Sequence, residues 1–300
     1  MTRRLVFVHG RAQQGKDSVA LKAEWLQALD IGMANANLKM PIAETEVRFP
    51  YYGDTLAQLD AGRLPGQVAD IVVRGEGVDD DETNFVRAVL EETRVRAGIT
   101  KAQLAQIAGQ EVIERGLQNQ EWFQTILQAL DRHVPYASGA SIALATHDVY
   151  QYLKNDAVRQ VIDEGVAKSF EPGVETVVVS HSLGTVIAYR LLRQFGKARG
   201  WNVPVFITLG SPLAVTEIRR GLQREATVRC PECVGSWYNA FDGADVVALY
   251  PLDAGHFALD PDRPQIENMS KVHNHTENRH GIGGYLDDTV VAARIHAALL

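Results

Sequence analysis

Residues 176–179 read Thr-Val-Val-Val, an apolar run with no polar alternation. A strand open to water on one face alternates apolar with polar side chains, whereas a strand covered on both faces is free to be apolar throughout. The run therefore predicts a strand inside a sheet that carries a layer on each side. Other segments repeat the signal: residues 5–8 (Leu-Val-Phe-Val, closed by His9-Gly10), 205–209 and 237–241. Helix-spaced apolar residues separate them, over 19–29 (Leu21, Trp25, Leu26, Leu29), 184–195 and 286–300. Strands alternating with helices predict an α/β class, a mainly parallel sheet flanked by helices. Residues 46–52 are a further strand candidate, with Pro50 placing its end or an edge there.

From about residue 55 to 135 the pattern turns to amphipathic helices over 84–97, 101–115 and 121–133, the second opened by the capping box Thr100-Lys-Ala-Gln103. Residues 148–168 read as one more long helix. A single domain of 300 residues with a helical insertion, or lid, over about 55–135 is the organisation expected.

Composition narrows the functions. Apolar residues make up 46% of the chain and charged residues 22%, with a formal net charge of −7. That mixture suits a globular protein with a full core. No basic stripe invites nucleic acid. The two cysteines, Cys230 and Cys233, are too few for a secreted disulfide framework, and no apolar run reaches spanning length. A cytoplasmic location is the expectation.

The sharpest chemical signal follows the apolar run. Ser180-His181-Ser182-Leu183-Gly184 is a small-x-Ser-x-Gly turn between a strand and a helix. Such an elbow exposes a serine hydroxyl above a sheet, and the small residues two before and two after let strand and helix pass closely. The helix start adds N–H groups and partial positive charge where an oxyanion would form. The N–H of Leu183 is the expected first donor. The bland alternative is a serine that merely caps a helix.

Four segments in order, Val6-Phe7-Val8-His9-Gly10, Ser180 to Gly184, Leu209-Gly210-Ser211-Pro212-Leu213, and residues 237–280, resemble the α/β-hydrolase superfamily on its lipase and esterase side. The helical middle lies outside the likeness. The resemblance implies Ser182 as nucleophile, then an acid, then a histidine. Asp245, followed by Val246-Val247, matches the acid position better than Asp242, although both aspartates also suit a turn. His280, ahead of Gly-Ile-Gly-Gly-Tyr285 and the final helix, is the favoured base, with His275 next and His273 also placed to serve. The second oxyanion donor falls on Arg11, or on Ala12, after the His-Gly pair. The implied reaction cleaves a carboxylic ester or lipid acyl bond of a small-molecule or lipid substrate and needs neither cofactor nor metal. Ser180 departs from the glycine many relatives carry. Phe85, Leu90, Trp122, Phe123 and Leu127 would line an acyl pocket or, more commonly for such residues, pack the insertion.

Two readings compete. Gly10 to Lys16 has the Gly-x-x-x-x-Gly-Lys spacing of a phosphate-cradling P-loop, but Asp17 stands where a Ser or Thr hydroxyl should hold Mg²⁺. A hydrolase-shaped binding or effector module without turnover is the other. Cys230 with Cys233, or His273 with His275, would be a sparse metal site, each better read as loop chemistry.

Overall fold

The computed structural model describes residues 3–10, 17–53, 80–109, 120–134 and 138–300. Among these, six parallel strands form one sheet in the order β2-β1-β3-β4-β5-β6. The strands are β1 (Arg4–Val8), β2 (Val47–Arg48), β3 (Thr176–His181), β4 (Val203–Leu209), β5 (Val234–Ala240) and β6 (Ile266–Met269). The helices, in chain order, are α1 (Ser18–Asn35), α2 (Asp80–Arg96), α3 (Lys101–Ala108), α4 (Gln120–His133), α5 (Gly139–Lys154), α6 (Asp156–Ala167), α7 (Leu183–Leu191, running on as a π-turn over Leu192–Gly196), α8 (Thr216–Glu225), α9 (Gly283–Leu286) and α10 (Thr289–Leu299).

Every residue of β1 and β3 is buried. Alternate side chains of one strand leave by opposite faces. Accordingly Val6, Val8 and Val178 join a cluster with α5 to α8. Leu5, Phe7, Val177 and Val179 join a second cluster with α1 and α10. Two covered faces explain the unbroken apolar runs, since each such side chain removed from water contributes about 1.5–3 kcal/mol.

The helical stretch between β2 and β3 builds a third core of its own from α2, α3, α4 and α5, centred on Leu90, Leu104, Trp122, Phe123 and Ile126. It is tied to the sheet layer at defined points. The Glu92 carboxylate accepts from the Thr216 N–H at 3.0 Å, capping α8 where Val215 has no capping side chain. Arg96 Nε donates to the Leu249 carbonyl at 3.0 Å.

Several elements differ from the sequence expectation. Residues 148–168 are not one helix. The chain breaks at Asn155 (φ −94°, ψ 106°), whose Oδ1 accepts the Ala157 and Val158 N–H groups at 3.1 and 3.2 Å and so starts α6. The strand expected over 46–52 shrinks to Val47–Arg48, and the helix expected over 101–115 stops at Ala108, before Gly109 at φ 84°. Of the insertion expected over 55–135, residues 54–79 and 110–119 lie outside the described residues, and helices continue beyond it to Ala167. α8 and β6 were not anticipated.

Connections from β1 run to one edge of the sheet and those from β3 run to the other. Where strand order reverses in this way, a crevice opens at the carboxyl ends of the two neighbouring strands. Gly10 and Ser182 follow those two strands.

Candidate active site

Ser182 follows β3 at φ 54°, ψ −129°. A non-glycine residue in this region carries about 1–3 kcal/mol of backbone strain, which surrounding structure must hold in place. The Ser182 N–H donates to the Leu209 carbonyl at 3.2 Å, and its carbonyl accepts from the Thr185 N–H and Oγ1 at 2.9 and 2.8 Å. Gly184 is required at its position: a Cβ there would lie 2.2 Å from the Val8 carbonyl oxygen. Ser180 fits its position with its Oγ donating to the Ile207 carbonyl at 3.2 Å. Leu183 opens α7, so its N–H belongs to the first turn, whose donors have no intrahelical carbonyl.

The Ser182 Oγ lies 2.8 Å from His280 Nε2, and His280 Nδ1 lies 2.7 Å from Asp245 Oδ2. These three residues come from three separate loops after β3, after β5 and before α9. The Asp245 side chain is 0% exposed. It also accepts from the Tyr285 hydroxyl at 2.6 Å and from the Val247 N–H at 2.8 Å. Burial pushes the Asp245 carboxyl up, but the His280 charge, with the bonds from His280, Tyr285 and Val247, outweighs it and holds the group below its ordinary value. Burial, then the Asp245 charge, raises the Tyr285 hydroxyl well above its usual range, so it remains a donor.

Asp242 does other work. Its two oxygens accept from the Ala244 and Asn274 N–H groups at 2.8 Å each, joining the acid loop to the histidine loop. Buried Asn274 closes the latter loop through Nδ2, which donates to the Gly281 carbonyl at 2.8 Å. His275 is exposed and pairs with Asp287 at 2.5 Å, and His273 is exposed too. Neither of the two reaches the serine.

Three contributors had no assigned role in the sequence reading. His181 is buried beside Ser182, and its Nε2–H donates to the His280 carbonyl at 2.8 Å. Burial, reinforced by the electrostatic effect of neighbouring His280, drops its pKa to about 3, so His181 stays neutral. Gly210 sits at φ 54° against the site. A Cβ there would stand 3.0 Å from Tyr285 and 3.2 Å from both Asp245 Oδ2 and His280 Cε1. His9 is the third. Its Nδ1–H donates to the Gly10 carbonyl at 2.7 Å while Nε2 accepts from the Tyr52 N–H at 3.2 Å. Spacing along the chain carries no signal for Gly210 or His181. The His-Gly pair marked His9 without showing what it does.

Gly10 packs tightly enough that a Cβ would approach Ser182 Cβ to 2.9 Å. Arg11 and Ala12 lie outside the described residues, as does the P-loop spacing from residue 11 to Lys16. Asp17 accepts from the Val19 N–H at 2.8 Å and caps α1, which places a carboxylate where a phosphate would need positive charge. Cys230 and Cys233 are free thiols whose pKa values burial raises to about 11 and about 12. The described residues contain no group of three or more His, Cys, Asp or Glu side chains that could hold a metal ion. Leu90, Trp122, Phe123 and Leu127 pack in the core of the insertion and Phe85 in the cluster on the sheet. No helix among the described residues is long and apolar enough to cross a membrane. Comparison of the chain with family models, with curated proteins and with solved structures finds no match.

Proposed function

We propose that the chain is a serine hydrolase of the α/β-hydrolase superfamily that cleaves a carboxylic ester or lipid acyl bond through an acyl-enzyme intermediate. One observation carries this reading: a strained, pocket-facing serine hydroxyl bonded to an imidazole that is itself bonded to a buried carboxylate. Serine is a weak nucleophile until a base takes its proton. His280 Nε2 takes that proton as Ser182 Oγ attacks the acyl carbon, and ionised Asp245 stabilises the imidazolium. The Leu183 N–H, in the first turn of α7, meets the oxyanion. His280 then gives the proton to the departing alkoxide, leaving Ser182 acylated. A water, deprotonated by His280, releases the acid and restores the hydroxyl.

A fluorophosphonate probe and p-nitrophenyl acetate test the assignment. Wild-type protein is expected to be labelled and to release p-nitrophenol, and Ser182→Ala to lose both, with turnover down at least about 10³-fold. A folded wild-type chain that takes no label and hydrolyses no acyl ester is a binding module instead. Tight ATP binding without labelling would favour the nucleotide reading.

A further inference from the structure

The space beside Ser182 is divided unequally. On one side lies a cleft of about 330 Å³ whose walls include Gly10, Ser141, His181, Asn278, His280 and Ile282. A much smaller slot of about 20 Å³ adjoins it, sharing Ile142, Ser182 and Val247 with the cleft and lined also by Val149, Val215 and Ile218. A single water needs roughly 10–15 Å³ by the same kind of measure. The slot therefore offers far less room than the cleft. His280 lines the cleft and is absent from the slot.

We infer that the proposed hydrolase is selective for acetyl esters of bulky alcohols, with the acyl methyl in the slot and the alcohol in the cleft. The inference rests on the hydrolase reading above. The Ser182 Oγ–C bond forms first, the C–O bond to the alcohol then breaks, and the proton leaving Ser182 reaches the alcohol oxygen by way of His280 Nε2. The imidazole must therefore face the leaving group, so the alcohol occupies the side that His280 lines. The acyl substituent takes the remaining side, which is the slot. That slot is walled by α2, by α5, by α8 with the segment leading into it, and by Val246 and Val247 of the loop that follows Asp245. Val149, Val215 and Ile218 are each buried, so a longer acyl chain meets close-packed side chains rather than solvent. The cleft offers hydrogen-bonding groups at its rim, the Ser138 and Ser141 hydroxyls and the Asn278 amide, which suit an alcohol bearing polar substituents.

The test is kcat/KM for p-nitrophenyl acetate, butyrate and octanoate, which share one leaving group. Acetate is expected to exceed octanoate at least 100-fold. Val149→Ala, which enlarges the slot, is expected to raise the butyrate-to-acetate ratio at least tenfold. Ser141→Trp, which fills the cleft from an exposed position, is expected to raise KM for 1-naphthyl acetate several-fold and to leave the acyl preference alone. Octanoate cleaved as well as acetate overturns the inference while the hydrolase reading stands. So does an acyl preference that moves with Ser141→Trp, because the two sides would then be reversed. Should Val149→Ala fail to fold, the wild-type series and the Ser141 variant decide the matter. A protein that cleaves none of these esters and takes no fluorophosphonate loses the underlying reading first.

Discussion

A carboxylate withdrawn from water is costly unless its charge is met, and Asp245 is met by an imidazole, a phenol and backbone N–H groups. The arrangement fixes the tautomer of His280: Nδ1 must carry a hydrogen to face the carboxylate, which leaves Nε2 free to accept from Ser182. Asp245→Asn keeps the shape and spoils that choice, because an amide NH₂ in the same place favours the other tautomer. The expected result is a fall in kcat of about 10³–10⁴-fold with KM little changed, read from steady-state kinetics. Tyr285→Phe is milder. It removes one donor and costs about 1–2 kcal/mol of stability in urea unfolding. Equal kinetics in wild type and Asp245→Asn would remove the carboxylate from the mechanism.

At the scale of elements, Asn155 shows why some boundaries were legible in the sequence and others were not. Periodicity registers that residues 148–168 are helical, but the break depends on one side chain turning back to cap the following helix. Replacing that cap, Asn155→Ala, is expected to cost about 1 kcal/mol by chemical denaturation. No change would mean that packing alone sets the junction. The central strands announced themselves because burial on both faces leaves an apolar run that little else explains. α8 did not, for it is largely polar and only Ile218 and Leu222 are buried. β6 did not either, since its four residues hold no fully buried side chain and it lies at an edge. The same logic applies to the site. Ser182 and the aspartate and histidine loops have local patterns around them, so resemblance was enough to nominate Asp245 and His280. Gly210 and His181 act through close approach, which exists only once β3, β4 and the histidine loop stand side by side.

For the whole molecule, the buried neutral His181 makes acid a specific threat. Its folded pKa is about 3 against an ordinary value of 6.5. Above pH 6.5 it is uncharged in both states and contributes no pH dependence. Between pH 6.5 and 3 the unfolded chain binds a proton that the folded chain refuses, so stability falls as pH falls. The loss is at most about 1.4 kcal/mol per pH unit. Urea midpoints at pH 7 and pH 4.5 measure it, and His181→Asn is expected to reduce the slope. An unaltered slope in that variant would locate the acid sensitivity elsewhere.

Parallel strands cannot be joined by short hairpins, so each step across this sheet consumes a long excursion of chain. Ser182 and His280 consequently stand 98 residues apart in the polypeptide. A chain nicked between β4 and β6 would divide them between two pieces, each holding strands that need the other piece's edge. In the proposed hydrolase, ester cleavage by a mixture of such fragments would therefore report that the two halves had found each other in register, which makes turnover a sensor of complete assembly.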